Sequence, residues 1–140
     1  MLLESMICLA LNVYHEAKNQ SYVGQVAVAQ VVMNRVRDTR YPNTVCDVVK
    51  QGATYKWRPE FPIKNRCQFS WYCDGKPDTI RDGDAWRQAQ IVAYRITYNE
   101  RHRGLTEGAT HYHADYVHPK WASTLQLVGR IATHIFYRWP

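Results

Sequence analysis

The sequence predicts an α+β fold, a helical core with a small antiparallel β-sheet beside it. Three observations carry that expectation. Residues of about 3–17 and 22–37 repeat apolar side chains at helical spacing. A further helix with a cap of its own begins near residue 82. Beyond about residue 110 the chain changes to short segments broken at turns, which read as strands. No repeat, linker or low-complexity tract interrupts the 140 residues, so 1–140 is expected to be a single domain.

Each element has a local reason. Leu3, Met6, Ile7, Ala10, Val13 and Ala17 define the apolar face of the first helix. Ser21 suits the N-cap of the second, which carries apolar residues on every side from Val23 to Val36 and so reads as a buried central helix. Gly24 allows close approach of a neighbouring backbone, which the sequence suggests is the first helix. Tyr41–Thr44 is a turn leading into a short helical piece ending at Val49. Lys50 to Arg66 reads as an irregular surface loop, and Gln68 to Tyr72 as a short strand. Asp82 or Asp84 caps the third long helix, whose C-terminal dipole Arg101, His102 and Arg103 complement and which Gly104 ends. Thr110 to His113 reads as a strand and Pro119 to Ala122 as a turn. Leu125–Val128 and Arg130–Tyr137 read as a hairpin joined at Gly129.

Four cysteines permit three full pairings. Cys8, inside an apolar helix, reads as a buried free thiol, while Cys67 and Cys73 can pair with each other or with Cys46. The net charge of +6 favours an anionic partner, either nucleic acid or a bacterial envelope. Arginines and lysines are scattered, from Arg35 and Arg37 to Arg101 and Arg103, which suits a solvated basic surface better than a nucleic-acid site. The apolar opening lacks a basic leader region and carries Glu4, so no signal peptide is expected. No membrane span and no cofactor are expected, and the protein is expected to be a monomer.

The stretch that organises the chemistry is Tyr14 to Val36. Glu16 lies one turn after Val13 and Asn12, at the border of the apolar face. A carboxyl lodged there loses hydration, which raises its pKa and keeps a proton available for general-acid catalysis. The alternative is a structural glutamate paired with Lys18 or Arg35. Gln68 and Ser70 alternate with Phe69 and Trp71 and are expected to share one strand face, where they could bind a sugar's polar groups. His111 and His113 also share a face. Their spacing raises zinc, but no third ligand is evident.

These residues also carry a resemblance. Tyr14-x-Glu16-Ala17, Gly24-Gln25-x-Ala27-Val28-Ala29 and Asn34-Arg35-Val36 resemble the opening of the SleB-type cell-wall hydrolases. Tyr41-Pro42-x-Thr44-Val45-Cys46, Cys67-Gln68-Phe69-Ser70, Ala109 to Ala114, Pro119-x-Trp121-Ala122 and His134-x-Phe136-Tyr137 follow in the same order. The resemblance implies a lysozyme-like α+β fold acting on bacterial peptidoglycan, with Glu16 as the catalytic acid/base. The implied reaction is lytic transglycosylase or muramidase cleavage between N-acetylmuramic acid and N-acetylglucosamine. Tyr14, Gln68, Ser70, Trp71, His111, Tyr112 and His113 would then bind the glycan. Where many members read Glu-Ala-Arg-Gly-Glu, this chain reads Glu16-Ala17-Lys18-Asn19-Gln20, losing the second acid. A minimal catalytic domain of this kind, without a leader, looks like a phage endolysin, expected to be made in the cytoplasm and to reach the wall after release by a holin. A zinc amidase using His111 and His113, or a non-catalytic wall-binding module, are the alternatives.

Overall fold

Helices α1 (Leu2–Ala17) and α2 (Tyr22–Arg37) form where the apolar period placed them. The predicted cap is in place, with Ser21 Oγ accepting the Gly24 N–H at 3.3 Å. The computed structural model describes residues 2–102 and 104–140. Every α2 residue from Gly24 to Val32 is buried, as an all-round apolar helix requires. Thr44 caps α3 (Val45–Val49), its Oγ1 accepting the Asp47 N–H at 3.2 Å. Asp82 caps α4 (Gly83–Asn99), its Oδ1 accepting the Ala85 N–H at 3.0 Å. Ala89, Val92, Ala93 and Ile96 of α4 then bury with Leu9 and Val13 of α1 and Val26 and Val32 of α2 in one core. Each fully buried valine or leucine contributes about 1.5–3 kcal/mol, which is the main force fixing these helices together.

The end of α4 differs from expectation. The helix stops at Asn99, and Glu100, not Gly104, takes the left-handed conformation (φ 48°). Gly104 (φ 87°) shapes the turn that follows. Gln30 of α2 holds that turn by donating from Nε2 to the carbonyls of Arg101 (3.4 Å) and His102 (3.2 Å). Arg103, expected to complement the dipole, lies outside the described residues.

The expected loop from Lys50 to Arg66 is instead an antiparallel hairpin of β1 (Gly52–Tyr55) and β2 (Arg58–Cys67). Neither face of the hairpin is covered, so the sequence has no reason to alternate and the strand signal is missing. The expected strand at Gln68–Tyr72 is not one, because Ser70–Cys73 winds into a 3-10 helix. The disulfide Cys67–Cys73 accounts for this: its Cα atoms are 6.2 Å apart. Six extended residues would span roughly 20 Å. Cys8 is not free either. It pairs with Cys46 and ties α1 to α3, so all four cysteines are bonded.

The second sheet contains β3 (His111–Ala114), β4 (Gln126–Ile131) and β5 (His134–Arg138), antiparallel in the order β3-β5-β4. The β4–β5 hairpin turns at Ala132–Thr133, not at Gly129. Gly129 sits within β4, at a register shift where Leu127 pairs Tyr137 and Gly129 pairs Phe136. That turn, rather than the backbone of α1, is what presses on Gly24. A Cβ there would lie 3.1 Å from Ala132 Cβ and 3.0 Å from Gln20 Cβ. The close approach brings the hairpin turn against the start of α2 and against Gln20 in the connection from α1. Among the described residues no helix is long and apolar enough to cross a membrane.

Candidate active site

Glu16 occupies the last turn of α1, the buried apolar face of which fixes its position. Strand β3 passes opposite, and Tyr112 Oη donates to Glu16 Oε1 at 2.5 Å. One cavity of about 130 Å³ opens on one side, lined by Glu16, Arg35, Gln68, Phe69, His111, Tyr112 and Trp121. A second, of about 200 Å³, is lined by His15, Glu16, Lys18, Asn19, Gln20, Tyr116, Thr133 and His134 among others. Glu16 is common to both, and it is the sole carboxylate lining either among the described residues. A larger trough of about 560 Å³ runs along the outer face of α4, but neither carboxylate, histidine nor cysteine lines it. Volume alone does not make a reactive site, and Glu16 is the acid that the two smaller cavities share.

Burial drives the electrostatics here. Desolvation raises the Glu16 pKa above the usual glutamate value, while the Tyr112 hydrogen bond and the Arg35 charge partly offset it. Burial and the adjoining carboxyl push the Tyr112 pKa well above an ordinary tyrosine's, so its hydroxyl stays a donor. Burial, then the charges of Arg35 and Arg40, lower His111 to about 4, leaving it neutral at pH 7. Burial also lowers His15 and His134. The surroundings of Glu16 thus contain uncharged imidazoles and phenols. Arg35, only 5% exposed, is a fixed buried cation. Its Nε donates to the Thr110 carbonyl at 2.7 Å, and its guanidinium lies over the rings of Tyr41 (5.1 Å) and Phe69 (5.3 Å). A carboxyl whose proton is held more tightly than usual, between two small cavities, can donate that proton to a group bridging them, and its conjugate base can take one back.

Of the residues singled out in the sequence, Gln68, His111 and Tyr112 line the first cavity with Glu16. The other four line neither. Tyr14 is buried in the core, and its hydroxyl accepts the Arg81 and Asp82 N–H groups, both at 3.1 Å, at the entry to α4. Trp71 donates to Asn12 Oδ1 at 2.9 Å and stacks on His15. Ser70 is exposed at the start of the 3-10 helix, so Gln68 and Ser70 share no strand face. His113 has both ring nitrogens engaged: Nδ1 donates to the Ala114 carbonyl at 2.7 Å, and Nε2 accepts from Tyr137 Oη at 2.8 Å. Among the described residues no three His, Cys, Asp or Glu side chains converge as a metal-binding group.

Sequence reading missed Arg35, Trp121, Tyr116 and His134 as cavity residues. Arg35 had a signal, a charge on the buried face of an otherwise largely apolar helix; Tyr116 had none. Gln20, which replaces the second acid, lines the second cavity and accepts a hydrogen bond from Thr133 Oγ1 at 2.8 Å.

Comparison with known proteins bears on the family and the fold. The family model described as Cell Wall Hydrolase matches residues 19–137, a stretch that starts just after Glu16. A spore cortex-lytic enzyme of Bacillus cereus is 49% identical over 47 residues, covering 34% of this chain and 18% of that protein. The spore cortex-lytic enzyme of Halalkalibacterium halodurans is 26% identical over 130 residues, covering 91% of this chain and 33% of the relative. The chain thus spans a third or less of the length of these curated relatives. Among solved structures, the catalytic domain of the Bacillus cereus SleB protein superposes with a TM-score of 0.65 at 26% identity, covering 97% of this chain and 91% of that one. The catalytic domain of the germination-specific lytic transglycosylase SleB from Bacillus anthracis gives 0.64 at 26% identity, covering 96% and 93%. The α+β fold is therefore the lysozyme-like one expected.

Proposed function

Because this chain belongs to the cell wall hydrolase family, we propose that it cleaves the glycan strand of peptidoglycan by lytic transglycosylation, with Glu16 as general acid and then general base. The observation that carries the reading is the position of Glu16: desolvated, bonded by Tyr112, and, among the described residues, the sole carboxylate lining two cavities that meet at it. A hydrolase of the usual two-carboxylate design needs a second acid across the scissile bond. Asp74, Glu107 and Asp115 are the candidates for a second acid, and none of them lines either cavity. Asp115 pairs with Arg130 at 2.8 Å, Asp74 accepts the Lys76 N–H, and Glu107 sits exposed in a turn. One acid suffices for transglycosylation. Protonated Glu16 donates to the bridging oxygen between N-acetylmuramic acid and N-acetylglucosamine as the bond to the muramic anomeric carbon breaks. The muramic acetamido oxygen supports that carbon. The Glu16 carboxylate then takes the proton of the muramic 6-hydroxyl as this oxygen closes on the anomeric carbon, leaving a 1,6-anhydro end. Gln68 and His111 orient the sugars from the cavity wall. The protein acts as a monomer in an endolysin-type role, reaching the wall after holin-mediated release.

Mass spectrometry of digested peptidoglycan tests the chemistry, since an anhydro end is lighter than a reducing end by one water. Reducing ends would replace transglycosylation with hydrolysis, and full lysis by a folded Glu16→Gln protein would remove Glu16 from the mechanism. Loss of activity on dialysis against EDTA, restored by zinc, would revive the amidase reading.

A further inference from the structure

The β1–β2 hairpin does no work in the core. Nearly all of its residues are exposed or half-exposed, and the element it packs on is the 3-10 helix at its base. Its end nevertheless carries an ordered aromatic cluster. Trp57 is 74% exposed at the turn, with Tyr55 5.5 Å from it ring to ring and Phe61 nearby, also exposed. Arg58 lies between the rings, 5.7 Å from the Trp57 centroid and 5.5 Å from that of Phe61. Lys56, Arg58, Lys64 and Arg66 against Glu60 give residues 52–67 a net charge of +3. An exposed apolar cluster on a basic arm with no core role marks an interaction surface. Two features fix the arm to the catalytic centre. The disulfide Cys67–Cys73 closes its base, and the next residue, Gln68, lines the cavity beside Glu16.

We propose that this hairpin is a second glycan-holding surface, which grips the peptidoglycan strand away from the bond being cut. This rests on the reading of the substrate as peptidoglycan. The chemistry matches that polymer in two respects. Sugar rings present C–H faces that stack on Trp57 and Phe61, and the stem peptides carry carboxylates that the basic side chains attract. A ten-residue strand such as β2 reaches at most about 30 Å from the cleft. The arm therefore engages polymeric strands and is indifferent to fragments that fill only the two cavities.

The test uses full-length protein. Binding of the Glu16→Gln protein to purified sacculi is compared with that of Glu16→Gln carrying Trp57→Ser, and Glu16→Gln carrying Phe61→Ser. Each added change should weaken binding by up to about tenfold, the worth of one aromatic contact. In the otherwise unaltered protein, Trp57→Ser should slow cleavage of intact sacculi and leave turnover of short soluble glycan fragments and the unfolding midpoint unchanged. Sacculus binding that neither change weakens would overturn the proposal. So would binding to anionic lipid vesicles that the same changes abolish while sacculus binding persists, since that would make the arm a membrane contact. Binding by Glu16→Gln needs no catalysis, so failure of the Glu16 mechanism would leave this outcome readable.

Discussion

Replacing Glu16 by glutamine should make the protein more stable as it makes it inactive. Burial raises the carboxyl's pKa in the folded state relative to the unfolded chain. An acid with a raised folded pKa holds its proton more tightly in the native state. Stability therefore falls as pH climbs from the unfolded value through the folded one, and stays lower above it. Each unit of upward displacement costs about 1.4 kcal/mol at pH values above both. Glutamine keeps the shape and can still accept from Tyr112 Oη, but has no charge to desolvate. Glu16→Gln should therefore match the parent at pH 4 and below, and exceed it by an amount that grows with pH toward neutrality. For a domain this size each 1 kcal/mol appears as roughly 3–4 °C in the unfolding midpoint. Differential scanning calorimetry of both proteins from pH 3 to 8 reads the divergence directly, and lytic activity should fall about a hundredfold or more. Curves that stay parallel across that range, or a variant less stable at pH 7 than at pH 4 relative to the parent, would refute a desolvated, functionally strained carboxyl.

Four further outcomes are expected. Tyr112→Phe removes a donor to the carboxylate, so the Glu16 pKa rises further and the alkaline limb of the pH–activity profile moves to higher pH; an acid-ward shift would contradict the hydrogen bond at 2.5 Å. Phe69→Ala, at a side chain 3% exposed, should cost about 3–5 kcal/mol in chemical denaturation. Gln68→Ala, exposed in the cleft, should change stability by about 0.5 kcal/mol or less and lower catalytic efficiency roughly tenfold to a hundredfold. Cys46→Ser opens the link to Cys8 across a sequence separation of 38. By loop-closure entropy it should lose about 4 kcal/mol, read as a lower denaturation midpoint without reductant.

The sequence by itself determined the helices, their N-caps and the place of Glu16 at the end of the first. Apolar period and capping are local, and Ser21, Thr44 and Asp82 each accept the N–H three residues on, as their types require. It also carried the family likeness, because that likeness is spread in order along the chain. Tertiary structure decided whatever depends on partners distant in sequence. Cys8 looked like a buried thiol until Cys46 was brought beside it. The β1–β2 hairpin is exposed on both faces, so nothing in its pattern announced strands. A six-residue disulfide loop turned an alternating segment into a 3-10 helix. The site divided the same way. Gln68 and Tyr112 lie 52 and 96 positions from Glu16, and Arg35 and Trp121 line the same cavity. Folding alone selected Tyr112 over its neighbour His113, since the pleat of β3 turns adjacent residues to opposite faces and the pairing with β5 determined which one meets the acid.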